Sequence, residues 1–233
     1  MEGAYEPTLG TMRNDLYTKQ LLPGMLFTNP NSVGIETASG QPYHVTPWNY
    51  AGTEGLIYSN ANYDPGSVDW VLLSLRTGLD ASTEIHQAAG ILKRDGSIEF
   101  LPASVYLTSV PAPYYVLIEH RNHLVALSAQ AIMPDNGVLV YDFTAQNSWV
   151  PASGGFGQKE LSPGFWGLYS GDGEQILDPL GYDINGADNS LWNIVNGLFK
   201  LYEEADYDLN GEVTGADRIL WNINSGIYSG VMK

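Results

Sequence analysis

The stretch that most constrains the fold is a twelve-residue segment near the C-terminus, residues 206–217, with the sequence DYDLNGEVTGAD. Side chains that carry oxygen stand at its first, third, fifth, ninth and twelfth positions, and glycine stands at the sixth. Ca²⁺ is a hard cation that takes six to eight oxygen ligands, and a loop with this spacing can wrap around one ion. Gly211 allows the sharp turn that a Cβ would obstruct. The spacing therefore predicts a calcium-binding loop, and the alternative is a solvated acidic turn.

The predicted ligands of this loop lie at the positions that an EF-hand uses. They are Asp206, Asp208, Asn210, Glu212, Thr214 and Asp217. Glu212 stands at position seven, where the backbone carbonyl is the usual ligand. Asp217 stands at position twelve, where the EF-hand pattern has a glutamate that binds with both oxygens. The shorter aspartate can reach the ion if the loop closes more tightly.

A second copy of the end of this loop lies upstream. Residues 184–194, INGADNSLWNI, match residues 213–223, VTGADRILWNI, position by position and without a gap. Gly197 and Gly226 keep the same register and are expected to end two helices in a left-handed cap. Two loop–helix units, stacked so that their leucines and tryptophans meet, would bury an apolar face that one unit alone leaves exposed. These residues are Leu191, Trp192, Leu220 and Trp221.

The duplicated loop–helix resembles the dockerin module, a small Ca²⁺-dependent adaptor of secreted carbohydrate-degrading complexes, over about residues 171–230. The resemblance implies a small α-helical, type I-like domain at 171–233 with EF-hand-type loops and a cohesin-like protein partner. Dockerins recognise cohesins at the exposed starts of the helices, where this chain has Gly-Ala in place of the hydroxyl pair often seen there. The residues at these positions are Ala187, Asn189, Ala216 and Arg218. The alternative partner for the tail is the β-domain of its own chain.

The upstream loop is not a plain copy of the downstream one. In the register of the repeat, the first three downstream ligands correspond to Leu177, Pro179 and Gly181, which offer no side-chain oxygens. Asp172 and Asp188 stand further apart in the sequence than Asp206 and Asp217, so an insertion must bulge out of the upstream loop. We expect a second Ca²⁺ here, and the alternative is a degenerate loop held only by packing. The predicted ligands are Asp172, Glu174, Asp178 and Asp188.

The charge of the chain restricts its partners. A formal net charge of −16 argues against nucleic acid and anionic membranes, whose phosphates would repel it. The tail, residues 171–233, carries 11 of the 26 acidic residues, and bound Ca²⁺ would partly neutralise them. No run is long and apolar enough to predict a membrane helix. Weak calcium sites fill where the ion is millimolar. We therefore expect a secreted or cell-surface location, in a longer protein whose signal peptide lies outside this sequence.

Residues 1–168 are predicted to form a mainly β domain, a sandwich. Short apolar and β-branched runs alternate with clusters of Pro, Gly, Asn and Ser, as is typical of strands and turns. The predicted strands are 68–76, 114–118, 124–127 and 137–143, with a hairpin at 90–100 around Asp95 and Gly96. Only residues 81–89 show any tendency towards a turn of helix.

This first part resembles the C-terminal β-domain of large secreted and surface proteins of the Bacteroidetes, which a dockerin-like tail commonly follows. The resemblance rests on the order and spacing of motifs across the whole of residues 1–170. They include residues 2–5, 12–16, 47–50, 68–71, 120–124 and 141–143. It implies an architecture without an activity, because the family serves as a module at the end of longer chains.

One segment concentrates groups that could do chemistry: residues 119–123, with the sequence EHRNH. A metal site or an acid–base pair is one interpretation. The other is structural, with Arg121 paired to a carboxylate such as Asp69 or Asp95 and the histidines bonded to loop carbonyls. Neighbours along a strand point to opposite faces, so the two histidines meet only if the chain turns or bulges between them.

Other catalytic motifs are absent from the sequence, which has no G-x-S-x-G, no H-E-x-x-H, no phosphate-binding glycine loop and no cysteine. We therefore predict a non-catalytic, calcium-binding extracellular adaptor at the C-terminus of a larger protein. The alternative is a carbohydrate-binding or glycan-processing domain that the tail tethers. Its candidate residues are Trp48 and Tyr50, whose rings could stack on a sugar or fill the core.

Overall fold

A computed structural model of the chain describes residues 1–25, 39–56, 62–100, 112–145, 147–175 and 182–232. The strands are β1 (Tyr5–Glu6), β2 (Thr11–Met12), β3 (Ser67–Arg76), β4 (Glu84–Lys93), β5 (Ile98–Phe100), β6 (Tyr115–His120), β7 (His123–Leu127), β8 (Lys159–Ser162) and β9 (Phe165–Gly167). The helices are α1 (Asp15–Thr18), α2 (Gly186–Val195) and α3 (Gly215–Asn224), with 3₁₀ turns at Pro42–His44 and Ala81–Thr83. The prediction of a mainly β chain with few helices is confirmed.

The main sheet is antiparallel, with the order β5-β4-β3-β6-β7, and two-stranded sheets join β1 to β2 and β8 to β9. Strand β3 lies at its centre, with Leu72 opposite Ala89 of β4 and Leu73 opposite Ile118 of β6. Every residue of β3 except Leu73 is buried. A strand covered on both faces reads as a nearly continuous apolar run, which is why this segment is so apolar in sequence.

One local prediction was wrong, and another holds only over a shorter range. Residues 137–143 form no strand: they make only an isolated bridge between Asp135 and Val138, and Val140 is 73 % exposed. The helical turn is confined to Ala81–Thr83, because the residues from Glu84 onward pair with β3. Pairing with a central strand outweighs a weak local preference. The hairpin at 90–100 is confirmed, with Gly96 at φ +89° in its turn.

The tail shares a core with the sheet. Tyr182, Ile184 and Val231 pack into one cluster with the apolar side chains of β6 and β7. The hydroxyl of Tyr182 donates to Glu119 at 2.6 Å, and Arg76 of β3 donates to the carbonyl of Met232 at 2.7 Å. The residues of the predicted tail domain are therefore held on the sheet by both apolar and polar contacts.

None of the helices in the described ranges is long and apolar enough to cross a membrane.

Candidate metal centre

Each of the two long helices begins with a capping box, which the repeated sequence explains. Thr214 caps α3: its side chain accepts from the N–H of Ala216, and its own N–H donates to Asp217 at 2.7 Å. Asn185 caps α2 in the same way, with its N–H donating to Asp188 at 2.7 Å. Each arrangement satisfies backbone N–H groups that a helix start leaves unpaired. The last predicted ligand of each loop is thus fixed at the first turn of a helix.

The two loop–helix units contact each other reciprocally. The indole of Trp192 donates to the carbonyl of Thr214 at 2.7 Å, and the indole of Trp221 donates to the carbonyl of Asn185 at 2.7 Å. The two bonds are equivalent in the repeat, because Trp192 aligns with Trp221 and Asn185 aligns with Thr214. The leucines and tryptophans of the repeat lie in one cluster around Tyr207, as the repeat predicted. The units therefore pack with approximate twofold symmetry.

The glycines that follow the two helices are related by the same symmetry. Gly197 and Gly226 have φ values of +91° and +90°, the left-handed conformation expected at a helix end. The N–H of Gly197 donates to Val213 of the other unit, and that of Gly226 donates to Ile184, both at 2.8 Å. Each helix end is thus tied to the loop of its partner unit.

The downstream loop gathers three buried carboxylates. Oxygens of Asp206, Asp208 and Asp217 lie within 4.8 Å of one another, and the three residues are 0 %, 8 % and 0 % exposed. Asp206 accepts from the N–H groups of Asn210 at 2.9 Å and Gly211 at 2.7 Å, so backbone donors orient it. Among the described residues, no other set of three acidic or histidine side chains comes this close.

The three buried carboxylates of this cluster take their charged form at an electrostatic cost. Burial raises the pKa of Asp217 to about 6, and the charge of Asp208 adds to the effect. Burial also raises the pKa of Asp206 well above its usual value; the charge of Arg121 opposes this rise, and repulsion from Asp217 and Asp208 adds to it. Buried like charges are unfavourable unless they are neutralised by a proton or a cation.

A fourth side-chain oxygen of the loop, on Asn210, is also buried. The buried Oδ1 atom of Asn210 accepts no hydrogen bond from the described part of the chain, while its Nδ2 donates to Asp208 at 3.0 Å. Buried oxygens normally have a hydrogen bond or a ligand. The side chain of Glu212 instead binds Lys19 at 2.9 Å, which leaves the carbonyl as its contribution at position seven. Thr214 serves as the helix cap described above.

The upstream loop aligns with the downstream one through its backbone. The N–H of Glu174 donates to Asp188 at 2.9 Å, just as the N–H of Asp208 donates to Asp217 at 3.1 Å. Glu174 therefore occupies the place of the third loop position, which puts Asp172 at the first. Sequence spacing alone did not give this alignment, because the inserted residues shift it.

The upstream loop contains a buried carboxylate, that of Asp172. It is 2 % exposed, and its Oδ2 atom has no hydrogen-bond partner in the part of the chain that the structure describes. Burial raises its pKa well above the usual value, and the charges of Asp188 and Asp183 add to this. Asp178, which was also predicted as a ligand, lies outside the described residues.

The predicted partner-binding residues differ in exposure. Ala216 and Arg218 are exposed, whereas Ala187 and Asn189 are partly buried. The guanidinium of Arg218 lies 5.3 Å from the ring centre of Trp192, so part of its surface packs against the other unit. Their role in recognising a partner stays a prediction.

The segment 119–123 has a structural role in the described contacts. A two-residue turn between β6 and β7 brings the rings of His120 and His123 together. Arg121 pairs with Asp69 at 3.0 Å, as the structural interpretation predicted. His123 donates to the carbonyl of Glu2 at 3.0 Å, whereas His120 contacts the carboxylate of Asp69 at 3.2 Å rather than a loop carbonyl.

Asp69 is fully buried and ionised. Burial alone would raise the pKa of Asp69, but the charge of Arg121 and hydrogen bonds from His120 and Tyr202 outweigh burial and lower that pKa to about 2. Tyr202 belongs to the tail and donates to Asp69 at 2.6 Å, a contact that the sequence did not suggest. The network thus joins the sheet to the segment that precedes the downstream loop.

Trp48 and Tyr50, the candidate sugar-stacking residues, both pack against the main apolar cluster. The ring of Trp48 meets Tyr43 edge to face at 5.0 Å. The hydroxyl of Tyr50 donates to Glu54 at 2.6 Å. These contacts favour a core role for the two rings.

No family model and no curated protein matches the chain. Among solved structures it is similar to two interface mutants of a type II cohesin–X-dockerin complex from Acetivibrio cellulolyticus. The TM-scores are 0.35 and 0.34, at 14 % and 16 % sequence identity, and the matches cover 67 % of this chain and 82 % of the other. A likeness of this degree is too weak to assign the chain to a family.

Proposed function

We propose that the chain is a non-catalytic, calcium-binding module at the C-terminus of a longer secreted or cell-surface protein, and that Ca²⁺ holds its tail in a folded, docked form. The observation that carries this proposal is the set of three buried carboxylates in the downstream loop, beside the Asn210 oxygen that accepts no hydrogen bond from the described residues. Three carboxylates are costly to bury together, and a bound divalent cation would offset this cost by neutralising their charge.

The ligand set suits calcium among the common ions. It would consist of Asp206, Asp208, Asn210 and Asp217 through side chains and Glu212 through its carbonyl. All of these donors are oxygens, which a hard cation prefers, whereas zinc sites usually include nitrogen or sulfur. The bound ion would supply two positive charges to a loop that is otherwise self-repelling.

We extend the proposal to a second ion in the upstream loop. Asp172, Glu174 and Asp188 take the first, third and last positions there by the backbone alignment described above. The buried oxygen of Asp172, which has no hydrogen-bond partner among the described residues, supports this assignment. Asp178 remains a predicted ligand.

The role of the tail is interaction, and its docking onto its own β-domain is the better supported form. Tyr182, Tyr202 and Asn122 each form a hydrogen bond between the tail and the first part of the chain. A cohesin-like partner at the exposed helix starts remains the other candidate. Calcium sites of this kind fill outside the cell, which supports a secreted or surface location.

Calorimetric titration of Ca²⁺ into the chain tests this function. We expect two ions per wild-type chain and one per Asp172→Asn chain, because the substitution removes the charge of the upstream first position. Asp135→Asn, at an exposed acid outside both loops, should keep two. Absence of binding to the wild type would refute the proposal, and two ions on Asp172→Asn would refute the upstream site.

A further inference from the structure

Four backbone carbonyls of the calcium loop accept hydrogen bonds from side chains that lie earlier in the chain than the tail. The pairs are Asn122 Nδ2 with Asp206 O at 2.6 Å, Ser170 Oγ with Tyr207 O at 2.5 Å, Arg13 Nη2 with Asp208 O at 2.9 Å, and Lys19 Nζ with Asn210 O at 2.6 Å. The four donors come from the N-terminal segment, the β6–β7 turn and the chain after β9. They bind carbonyls at loop positions one, two, three and five, and so avoid the predicted carbonyl ligand at position seven.

Close backbone packing reinforces these bonds. A Cβ atom added to Gly3 would lie 2.8 Å from the Cα of Asp208, and one added to Gly211 would lie 2.2 Å from a methyl of Leu21. Atoms at these separations would clash, so the N-terminal segment lies directly on the loop with no room for a side chain between them. The loop is therefore held from outside along much of its length.

We propose that these side chains, Asn122 and Ser170 above all, are positioning residues that set the calcium affinity of the loop. The inference rests on the proposed function, namely that the loop binds Ca²⁺. A free loop must lose backbone freedom when it closes around an ion, and this loss weakens binding. A loop whose carbonyls are already anchored does not incur that loss on binding.

The coupling acts in both directions. If docking on the sheet raises the affinity of the loop for Ca²⁺ by some factor, then Ca²⁺ strengthens the docking by the same factor. Calcium would thus act on the attachment of the tail to the sheet as well as on the fold of the tail. The calcium-free and calcium-bound forms would differ in how firmly the two parts are joined.

Ser170→Ala is the sharpest test, because the Ser170 hydroxyl bonds only to Tyr207 O among the described contacts. We expect this variant to bind Ca²⁺ about threefold to tenfold more weakly in calorimetry, the effect of one hydrogen bond, with unchanged stoichiometry. Ser128→Ala is the matched control: Ser128 is equally buried, and its hydroxyl bonds to Gln130 and Val116, which lie outside the loop. The Ca²⁺ affinity of Ser128→Ala should lie within about twofold of the wild-type affinity.

The outcomes separate this inference from the proposed function. No calcium binding by the wild type would refute the function itself. If the wild type binds Ca²⁺ and the affinities of Ser170→Ala and Ser128→Ala are equal, the calcium site is supported. The positioning role is then overturned.

A measurement on the wild-type chain covers the case in which Ser170→Ala fails to fold. The N–H of Leu124 bonds to Tyr169, and the N–H of Gly171 bonds to Asn122, both beside the anchoring side chains. Added Ca²⁺ should slow hydrogen exchange at these two amides as well as in residues 182–232. Protection confined to residues 182–232 would overturn the inference.

Discussion

Calcium is expected to raise the melting temperature of the chain by about 5–10 °C for each bound ion, and the Asp206→Asn, Asp208→Asn double variant is expected to lose the contribution of the downstream loop. An ion at 100 times its dissociation constant stabilises the folded state by roughly 2.7 kcal/mol, and each kcal/mol shifts the melting temperature of a chain this size by about 2–4 °C. Calorimetric scans in calcium and in a chelator measure the difference. The control is Asp80→Asn with Asp135→Asn, two exposed acids, which should keep the full shift.

The calcium-dependent shift should also shrink on acidification from pH 7.5 to pH 5.5. Burial raises the pKa of Asp217 to about 6 in the calcium-free fold, above its unfolded value of 3.8. Below that pKa the folded chain holds a proton that Ca²⁺ must displace, so protons and calcium compete. A shift of equal size at both pH values, or a full shift in the double variant, would contradict the assignment of these ligands.

The second large effect is expected from Arg121→Met, which should lower the free energy of unfolding by about 3–5 kcal/mol. The substitution leaves the carboxylate of Asp69 buried without its main charge partner. It also removes the stacking of the guanidinium on Tyr202, whose ring centre lies 4.2 Å away. Urea denaturation in the presence of calcium measures the loss.

Lys93→Met provides the control for this prediction. Lys93 bonds to Asp64 and Glu99, whose side chains are about half exposed, and such surface ion pairs contribute at most about 1 kcal/mol. If both variants lost the same free energy of unfolding, the burial of Asp69 would not explain the destabilisation by Arg121→Met.

The sequence predicted the elements that depend on local pattern. The central strand and the Asp95–Gly96 hairpin follow from apolar runs and turn residues, and the structure has both. It also predicted the two capped helices, because the repeat sets their register. The strand predicted at 137–143 is absent, because an apolar alternation gives a strand only where a neighbouring strand is available for pairing.

The parts of the site that the sequence missed depend on contacts between distant residues. Arg13 and Asp208 are 195 positions apart, and no local pattern indicates that they meet. In the upstream loop the structural match of Glu174 with Asp208 follows from a backbone hydrogen bond rather than from spacing. The three carboxylates that the structure brings together in the downstream loop could be predicted from the sequence because one uninterrupted segment supplies them all.

The most direct measurement is anomalous X-ray diffraction, at a long wavelength, from crystals of the chain grown with millimolar Ca²⁺. We expect an anomalous peak among the oxygens of Asp206, Asp208 and Asp217, and a second peak beside Asp172 and Asp188. A map with no peak among the first three carboxylates would contradict the claim that a divalent ion folds and fixes the tail.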